Sequence, residues 1–398
     1  MQGIRKRTWA EINLDHAAWN YKQIRRAVRP DAKICCVVKA NGYGHNAVRL
    51  GKLYESLGAD WFAVSNLEEA LQLRQGGITL PILILGYTPP ECAGVLAKHG
   101  ISQCVYSRTY GEALSQAAMS EGVQVSMHVK IDSGMGRIGF QHRGGHSELP
   151  DALAVCRLPS LKTEGIFTHF AVADEGADGD AFTLEQFRNF VSAYTWLEEQ
   201  GVRFSLHHCA NSAAIFDQPA ADDLPNVHLD MVRAGVVLYG LKPSDAVRNL
   251  PELRPVMALK SVISHIKTIA PGDSVSYGRT FLADSPRRIA TVPIGYADGF
   301  WRSNSKSCKM LVRDRLYPLV GRVCMDQLML DITGADDLTV GDIVTVFGDE
   351  KGLCSADLIA ANTGTINYEV VCAVGERVPR FFIQDGLPVE VSDSIWKR

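Results

Sequence analysis

Short apolar runs fall at 34–38, 61–64, 82–85, 103–105, 124–130, 163–168, 204–208 and about 228–236. Between them lie segments whose apolar residues recur at helical spacing: 46–57, 66–75, 91–98, 108–121, 147–156, 182–200 and 211–217. Runs this short, bounded by turn residues, read as buried strands, and the longer periodic segments as helices burying one face. Eight strands, each followed by a helix or turn, predict an α/β chain built on a parallel (β/α)8 TIM barrel. One strand more or fewer would leave a doubly wound sheet instead. Ahead of the barrel, 8–14 alternates as a strand, and 15–28 is helical with Asp15 as its cap.

The pattern changes after Leu241. The stretch LKPSDAVRNLPELRP holds three prolines and reads as a linker. Beyond it, strand-like runs at 256–269, 288–294, 317–323, 327–332 and 343–347 are separated by turn residues, with helix at 355–362 and a turn near 366–371. That is a mostly-β second domain. The expected division is 1–245 for the barrel and 246–398 for the β domain, with the strand at 8–14 a candidate to join the second.

Composition narrows the classes. A formal net charge of -3 and the absence of any Lys/Arg-rich block argue against nucleic acid as a partner. The N-terminal MQGIRKRTWAEINLD is basic but is followed by no apolar h-region, so no signal peptide is expected. No apolar stretch is long enough to span a membrane. The 10 cysteines are scattered without a C-x-x-C or framework spacing, which predicts reduced thiols and a cytoplasmic location. No Cys/His pair has ligand spacing, so no metal is expected.

Candidate chemistry gathers at the carboxyl ends of the predicted barrel strands, where barrels place their sites. Lys39 closes the first strand and is followed by a loop with Gly42 and Gly44. A lysine there is either a solvated rim residue or an amine nucleophile or base. Gly134, Gly136 and Gly139 form a G-x-G-x-x-G, but QHRGG comes after it where a dinucleotide fingerprint needs a helix. Its charges tell more: Lys130, Asp132 and Arg137 lie at the end of the fifth strand. His169 follows the sixth strand, Asn211 and Ser212 the seventh, and Arg233 sits among apolar neighbours in the eighth. Singly, each has a structural reading: Ser212 as a helix cap, His169 as a satisfied core histidine, Arg233 as a carboxylate's partner. Together, a lysine, a phosphate site after strands 7 and 8, and an arginine for a pyridine nitrogen are what pyridoxal phosphate (PLP) needs.

At this point the sequence resembles the alanine racemase family, over essentially the whole chain and both domains. The resemblance is carried by Val38-Lys39-Ala40-Asn41-Gly42-Tyr43-Gly44-His45 and Val275-Ser276-Tyr277-Gly278. Ile294-Gly295-Tyr296-Ala297-Asp298-Gly299, Gly321-Arg322-Val323-Cys324-Met325-Asp326 and Thr365-Ile366-Asn367-Tyr368-Glu369 support them. It implies that Lys39 holds PLP and is the base on the D-face, with Tyr277 the base on the L-face. It implies that Arg233 faces the pyridine nitrogen, and that His169 and Arg233 help to detune the phenol. Arg137 resembles the residue that contacts the cofactor's phenolate oxygen and the substrate carboxylate. Lys130 matches a position that is carbamylated in many relatives. Tyr43, Ser212, Gly235, Val236 and Tyr368, with Asn211 beside them, match the phosphate-binding positions. Met325 matches a main-chain donor to the substrate carboxylate, and Tyr296 lines the entrance.

The same resemblance implies a homodimer with shared sites, Tyr277, Tyr296 and Met325 reaching the other subunit's barrel, and a role in D-alanine biosynthesis. Its substrate is a small amino acid, alanine first. Serine or a broader set is the alternative, since an apolar pocket rejects an added hydroxyl only about 100-fold. A barrel-type PLP decarboxylase accounts less well for Arg137 and Tyr277. A non-catalytic PLP carrier would not need the second domain.

Overall fold

The computed structural model describes residues 7–218, 221–349 and 351–395. The chain forms two compact units: 18–42 with 47–253, and residues up to 17 with 43–46 and everything from 254 onward. The division after Leu253 falls within the proline-containing stretch.

The first unit is the (β/α)8 barrel. Its strands are β1 (Lys33–Val37), β2 (Trp61–Val64), β3 (Ile82–Ile84), β4 (Ile101–Val105), β5 (Val125–Asp132), β6 (Leu161–Phe167), β7 (Leu206–His208) and β8 (Met231–Ala234). They pair in parallel in the order β7-β6-β5-β4-β3-β2-β1-β8. Between β7 and β8 the circle closes through Asp230 N to His207 O (3.1 Å) and Arg233 N to Ala210 O (3.0 Å), short of a regular ladder. Ile34, Cys35, Cys36 and Val38 have no exposed surface, because helices cover one side of a parallel barrel and side chains fill the other. All eight strands stand in the expected order, with ends shifted by a few residues.

Two segments differ from expectation. Residues 211–217 form hydrogen-bonded turns, not a regular helix. Asn211 O accepts from Ile215 N (3.1 Å) and Ala213 O from Asp217 N (2.9 Å). The segment after Gly139 is a small hairpin, Phe140–Arg143 with His146–Ser147, whose first strand pairs in parallel with the end of β5.

The second unit is mostly β. A seven-stranded sheet runs in the order Arg315–Pro318, Lys309–Val312, Ile343–Phe347, Met257–Val262, Thr8–Asn13, Arg380–Gln384, Leu387–Ser392. Thr8–Asn13 is antiparallel to Met257–Val262 and parallel to Arg380–Gln384. The run expected as one strand over 256–269 breaks in two. His265–Ile269 leaves for a three-stranded sheet with Arg287–Val292 and Leu328–Asp331. No glycine or proline marks the break at Ile263–Ser264, so the sequence does not reveal it. Residues 366–371, expected as a turn, carry the helix Asn367–Cys372.

Among the described residues no helix is long and apolar enough to cross a membrane. All ten cysteines are free thiols. Among the described residues no cluster of His, Cys, Asp or Glu is arranged to hold a metal.

Candidate active site

Lys39, half-buried, begins a left-handed turn at the carboxyl end of β1. Ala40, Asn41 and Gly42 have φ of 52°, 52° and 64°. Each non-glycine residue in that region costs roughly 1–2 kcal/mol. Local bonds hold the turn: Gly42 N donates to Val38 O (2.8 Å), Ala40 N to Glu69 Oε1 (2.6 Å), and Ala47 N to Asn41 Oδ1 (3.0 Å). Strain maintained by such bonds is typical of a site whose geometry matters.

Arg233 points from β8 into the barrel interior with 4% of its surface exposed. Nη2 donates to Thr168 O (2.7 Å), Cys209 O (3.1 Å) and His169 Nδ1 (3.2 Å), and Nη1 to His208 Nδ1 (2.9 Å). The guanidinium also lies 5.3 Å from the centre of the Phe167 ring. No carboxylate pairs with it among the described residues, which removes the ion-pair reading. Burial lowers its pKa to about 10, so it stays charged at neutral pH. Since arginine can only donate, both imidazoles must present a lone pair at Nδ1. His208 and His169 are held well below the ordinary histidine value, first by burial and next by the Arg233 charge. His208 Nε2 in turn lies 2.9 Å from Nδ1 of the buried His128.

At the end of β5, Lys130 is 2% exposed, and its one hydrogen bond among the described residues goes to Ile131 O (3.1 Å). Burial, then the nearby Arg233 charge, lowers its pKa to about 7, so the amine is only partly protonated at neutral pH. Asp132 accepts from Gly134 N and Gly136 N at 3.0 Å. A Cβ on Gly139 would meet Asp132 N at 2.6 Å. The G-x-G-x-x-G glycines therefore build a tight turn around a carboxylate and open no helix. That turn leaves Arg137 exposed.

After β7, Asn211 Oδ1 accepts from Ala213 N (3.2 Å) and Ala214 N (3.0 Å), capping the first turn. Ser212 Oγ accepts from Gly235 N at 2.9 Å, tying this turn to the one at Val236–Tyr239. Ser212 is therefore more than a cap. The two turn starts thus lie side by side.

The second unit carries the remaining predicted residues. Tyr43 is buried, with its ring 6.1 Å from that of Tyr368. Arg380 Nε donates to Gly44 O at 3.1 Å, fixing the short 43–46 segment in this unit. Tyr277, Met325 and Tyr296 are 67%, 53% and 42% exposed. Tyr277 and Met325 line one cavity of 540 Å³ together with Lys267, Cys324 and Asp326. Tyr296 N donates to Cys324 O at 3.1 Å, which sets that ring beside the same loop.

In the barrel the structure thus gathers Arg233, Lys130, Arg137 and Lys39, whose charges all bear on His169. Asp132, the nearest carboxylate named in the motif, is engaged by backbone N–H groups. Basic side chains gathered in this way fit a ligand of net negative charge, as PLP is with its phosphate and phenolate. The sequence reading did not single out His128. Its signal was the two-residue period, which places His128, Lys130 and Asp132 on the same face of β5.

Models of the "Alanine racemase, N-terminal domain" and "Alanine racemase, C-terminal domain" match residues 12–243 and 256–382. An alanine racemase of Desulfovibrio desulfuricans is 46% identical, covering 94% of this chain and 98% of that protein. The solved alanine racemase of Clostridium difficile 630 superposes with a TM-score of 0.91 at 43% identity, covering 99% and 100% of the two chains. The alanine racemase of Bacillus anthracis with bound L-Ala-P gives 0.88 at 35% identity, covering 98% of each.

Proposed function

Since this chain belongs to the alanine racemase family and is itself a racemase, we propose that it interconverts L- and D-alanine. The observation that carries this reading is the cation cluster around His169 beside the strained Lys39 turn. PLP, when bound through Lys39, supplies the electron sink that makes the α-proton of an amino acid labile.

The chain's own residues then divide the work. Lys39 attaches the cofactor and moves the proton on the D-face; Tyr277 of the partner subunit moves it on the L-face. Racemisation needs an acid/base on each side of the α-carbon, and this pair meets that need. Ser212, Asn211, Gly235, Val236, Tyr43 and Tyr368 hold the phosphate. Accepting from Gly235 N leaves the Ser212 hydroxyl proton available to donate to a phosphate oxygen. Arg233 keeps its protons at neutral pH, so it donates to a ring nitrogen without protonating it. His169, neutral in this field, orients between Arg233 and the reacting face.

Arg137, exposed and positioned by the Asp132 turn, binds the substrate carboxylate together with the Met325 main chain, and Tyr296 lines the entrance. The neutral fraction of the Lys130 amine supports carbamylation: a C–N bond forms with carbon dioxide and a proton leaves. The resulting anion would orient Arg137. The exposure of Tyr277, Met325 and Tyr296 supports a homodimer in which each site draws on both subunits. Free thiols throughout support a cytoplasmic enzyme, and its family resemblance supports a role in D-alanine synthesis.

The test is α-deuterium exchange and racemisation across a panel of amino acids, using purified enzyme loaded with PLP. Alanine should lead the panel; equal or better turnover of serine would replace the substrate assignment. In the same assay Tyr277→Phe should retain the cofactor and lose exchange from L-alanine by about 100-fold or more. Wild-type rates on both enantiomers would rule out the two-base scheme.

A further inference from the structure

The contacts of Arg233 do not stop at His208. His208 Nε2 and His128 Nδ1 are 2.9 Å apart, and His128 Nε2 lies 3.3 Å from Glu164 Oε2. That last contact is poorly aligned for a hydrogen bond, and His128 Nε2 has no better partner among the described residues. Ser102 Oγ donates to Glu164 Oε2 at 2.5 Å. The row therefore crosses the barrel from β8 through β7 and β5 to β6. Glu164, its side chain 23% exposed, borders a 510 Å³ cavity with Ser102, Gln124 and Ser126.

The row is built for imidazoles. A Cβ on Gly165 would meet His128 Nδ1 at 2.5 Å, so glycine there makes room for the ring. His208 stacks on Phe167 with ring centres 4.8 Å apart and 2° between the planes. Trp61 meets His128 edge-on at 5.3 Å.

Its ends also fix its direction. Arginine can only donate, and a carboxylate can only accept. Arg233 requires a lone pair on His208 Nδ1, which puts the His208 proton on Nε2. That proton faces His128 Nδ1, which puts the His128 proton on Nε2, toward Glu164. A single proton arrangement is compatible with every member, the His128 Nε2 proton pointing toward Glu164.

We propose that Glu164 is a positioning residue for Arg233, acting through His128 and His208. It holds both imidazoles in the Nε2–H form, so that His208 always offers Arg233 an acceptor. This rests on the reading above, in which Arg233 faces the cofactor ring. A donor at position 164 should reverse the row: His128 would turn its proton to Nδ1, His208 would do the same, and two donors would face each other at Arg233.

The experiment reads ring tautomers by NMR on the PLP-loaded enzyme labelled with 15N-histidine, alongside racemisation. Wild type should show Nε2–H at His128 and His208. Glu164→Gln, whose amide oxygen can still accept, should keep both tautomers and most of the rate. Glu164→Lys, a donor only, should switch at least one ring to Nδ1–H and lower racemisation about ten- to hundredfold with PLP still bound. An Nδ1–H ring in wild type would overturn the proposal. So would a Lys variant with unchanged tautomers and rate. If the Lys variant fails to fold, Glu164→Ala takes its place: it should populate Nδ1–H at His128, and unchanged tautomers and rate would overturn the proposal. The tautomers are properties of the protein, so a wrong substrate assignment would empty the racemisation assay without altering the NMR result.

Discussion

Among the described residues two arginines are buried without a carboxylate partner, one in each unit, and they differ in what they hold. Arg380, 7% exposed, donates to Val374 O, Gly375 O and Val378 O at 2.6 Å and to Gly44 O at 3.1 Å. Arg233, equally buried, divides its bonds between two carbonyls and two imidazoles. Burial lowers both to about 10. Carbonyls are fixed dipoles, so Arg380 is a clamp that ties a loop and a chain crossing to the β unit. Imidazoles can exchange donor and acceptor roles, so the partners of Arg233 respond to what binds beside them. Equal burial thus meets fixed acceptors in one unit and switchable ones in the other.

The largest effect that can test this contrast is on the ligand side. Lys39→Ala should abolish the visible absorbance of bound PLP and cut racemisation by at least about a thousandfold. A variant that stays yellow at wild-type activity would remove the barrel cluster's claim to be the site. Next comes Arg380→Leu, which strands four carbonyls. It should cost about 3 kcal/mol in urea denaturation while the folded fraction keeps its kcat. Arg233→Gln should show the reverse, with racemisation down about 100-fold and a smaller loss of stability. If the two variants behave alike, the contrast fails.

Lys130 gives the smallest and most specific test. Its folded pKa of about 7 lies below the usual lysine value near 10.4. Between these values the unfolded chain binds more protons, so stability should climb as pH rises from about 7 toward 10. Below about 7 this group contributes no slope. Lys130→Met removes the titrating amine from both states and should flatten the rise. Denaturation midpoints at pH 7, 8 and 9 for wild type and this variant provide the check.

Much of this was legible in the chain before folding. Alternating strand and helix periods predicted the barrel, since burial on both faces leaves continuous apolar runs such as 34–38. The division of 256–269 into strands of two sheets was not legible, because no glycine or proline interrupts the run where it changes sheet. Nor was the helix at Asn367–Cys372, a single short stretch with little room for a period. The G-x-G-x-x-G segment was separable from a nucleotide loop because QHRGG, and no apolar-periodic helix, comes after Phe140. Only the folded chain shows that those glycines wrap Asp132.

By itself the sequence determined the barrel, the β domain, the residues at the strand ends and the family motifs, because these depend on local spacing. Tertiary structure alone decided the partners of Arg233. Whether a buried arginine meets a carboxylate, a carbonyl or an imidazole depends on residues 25, 64 and 65 positions away. It likewise made His128 and Glu164 part of one row with His208, since strands far apart in sequence become neighbours only when the barrel closes. Proton placement along that row is set by its two ends together, and no local segment contains both.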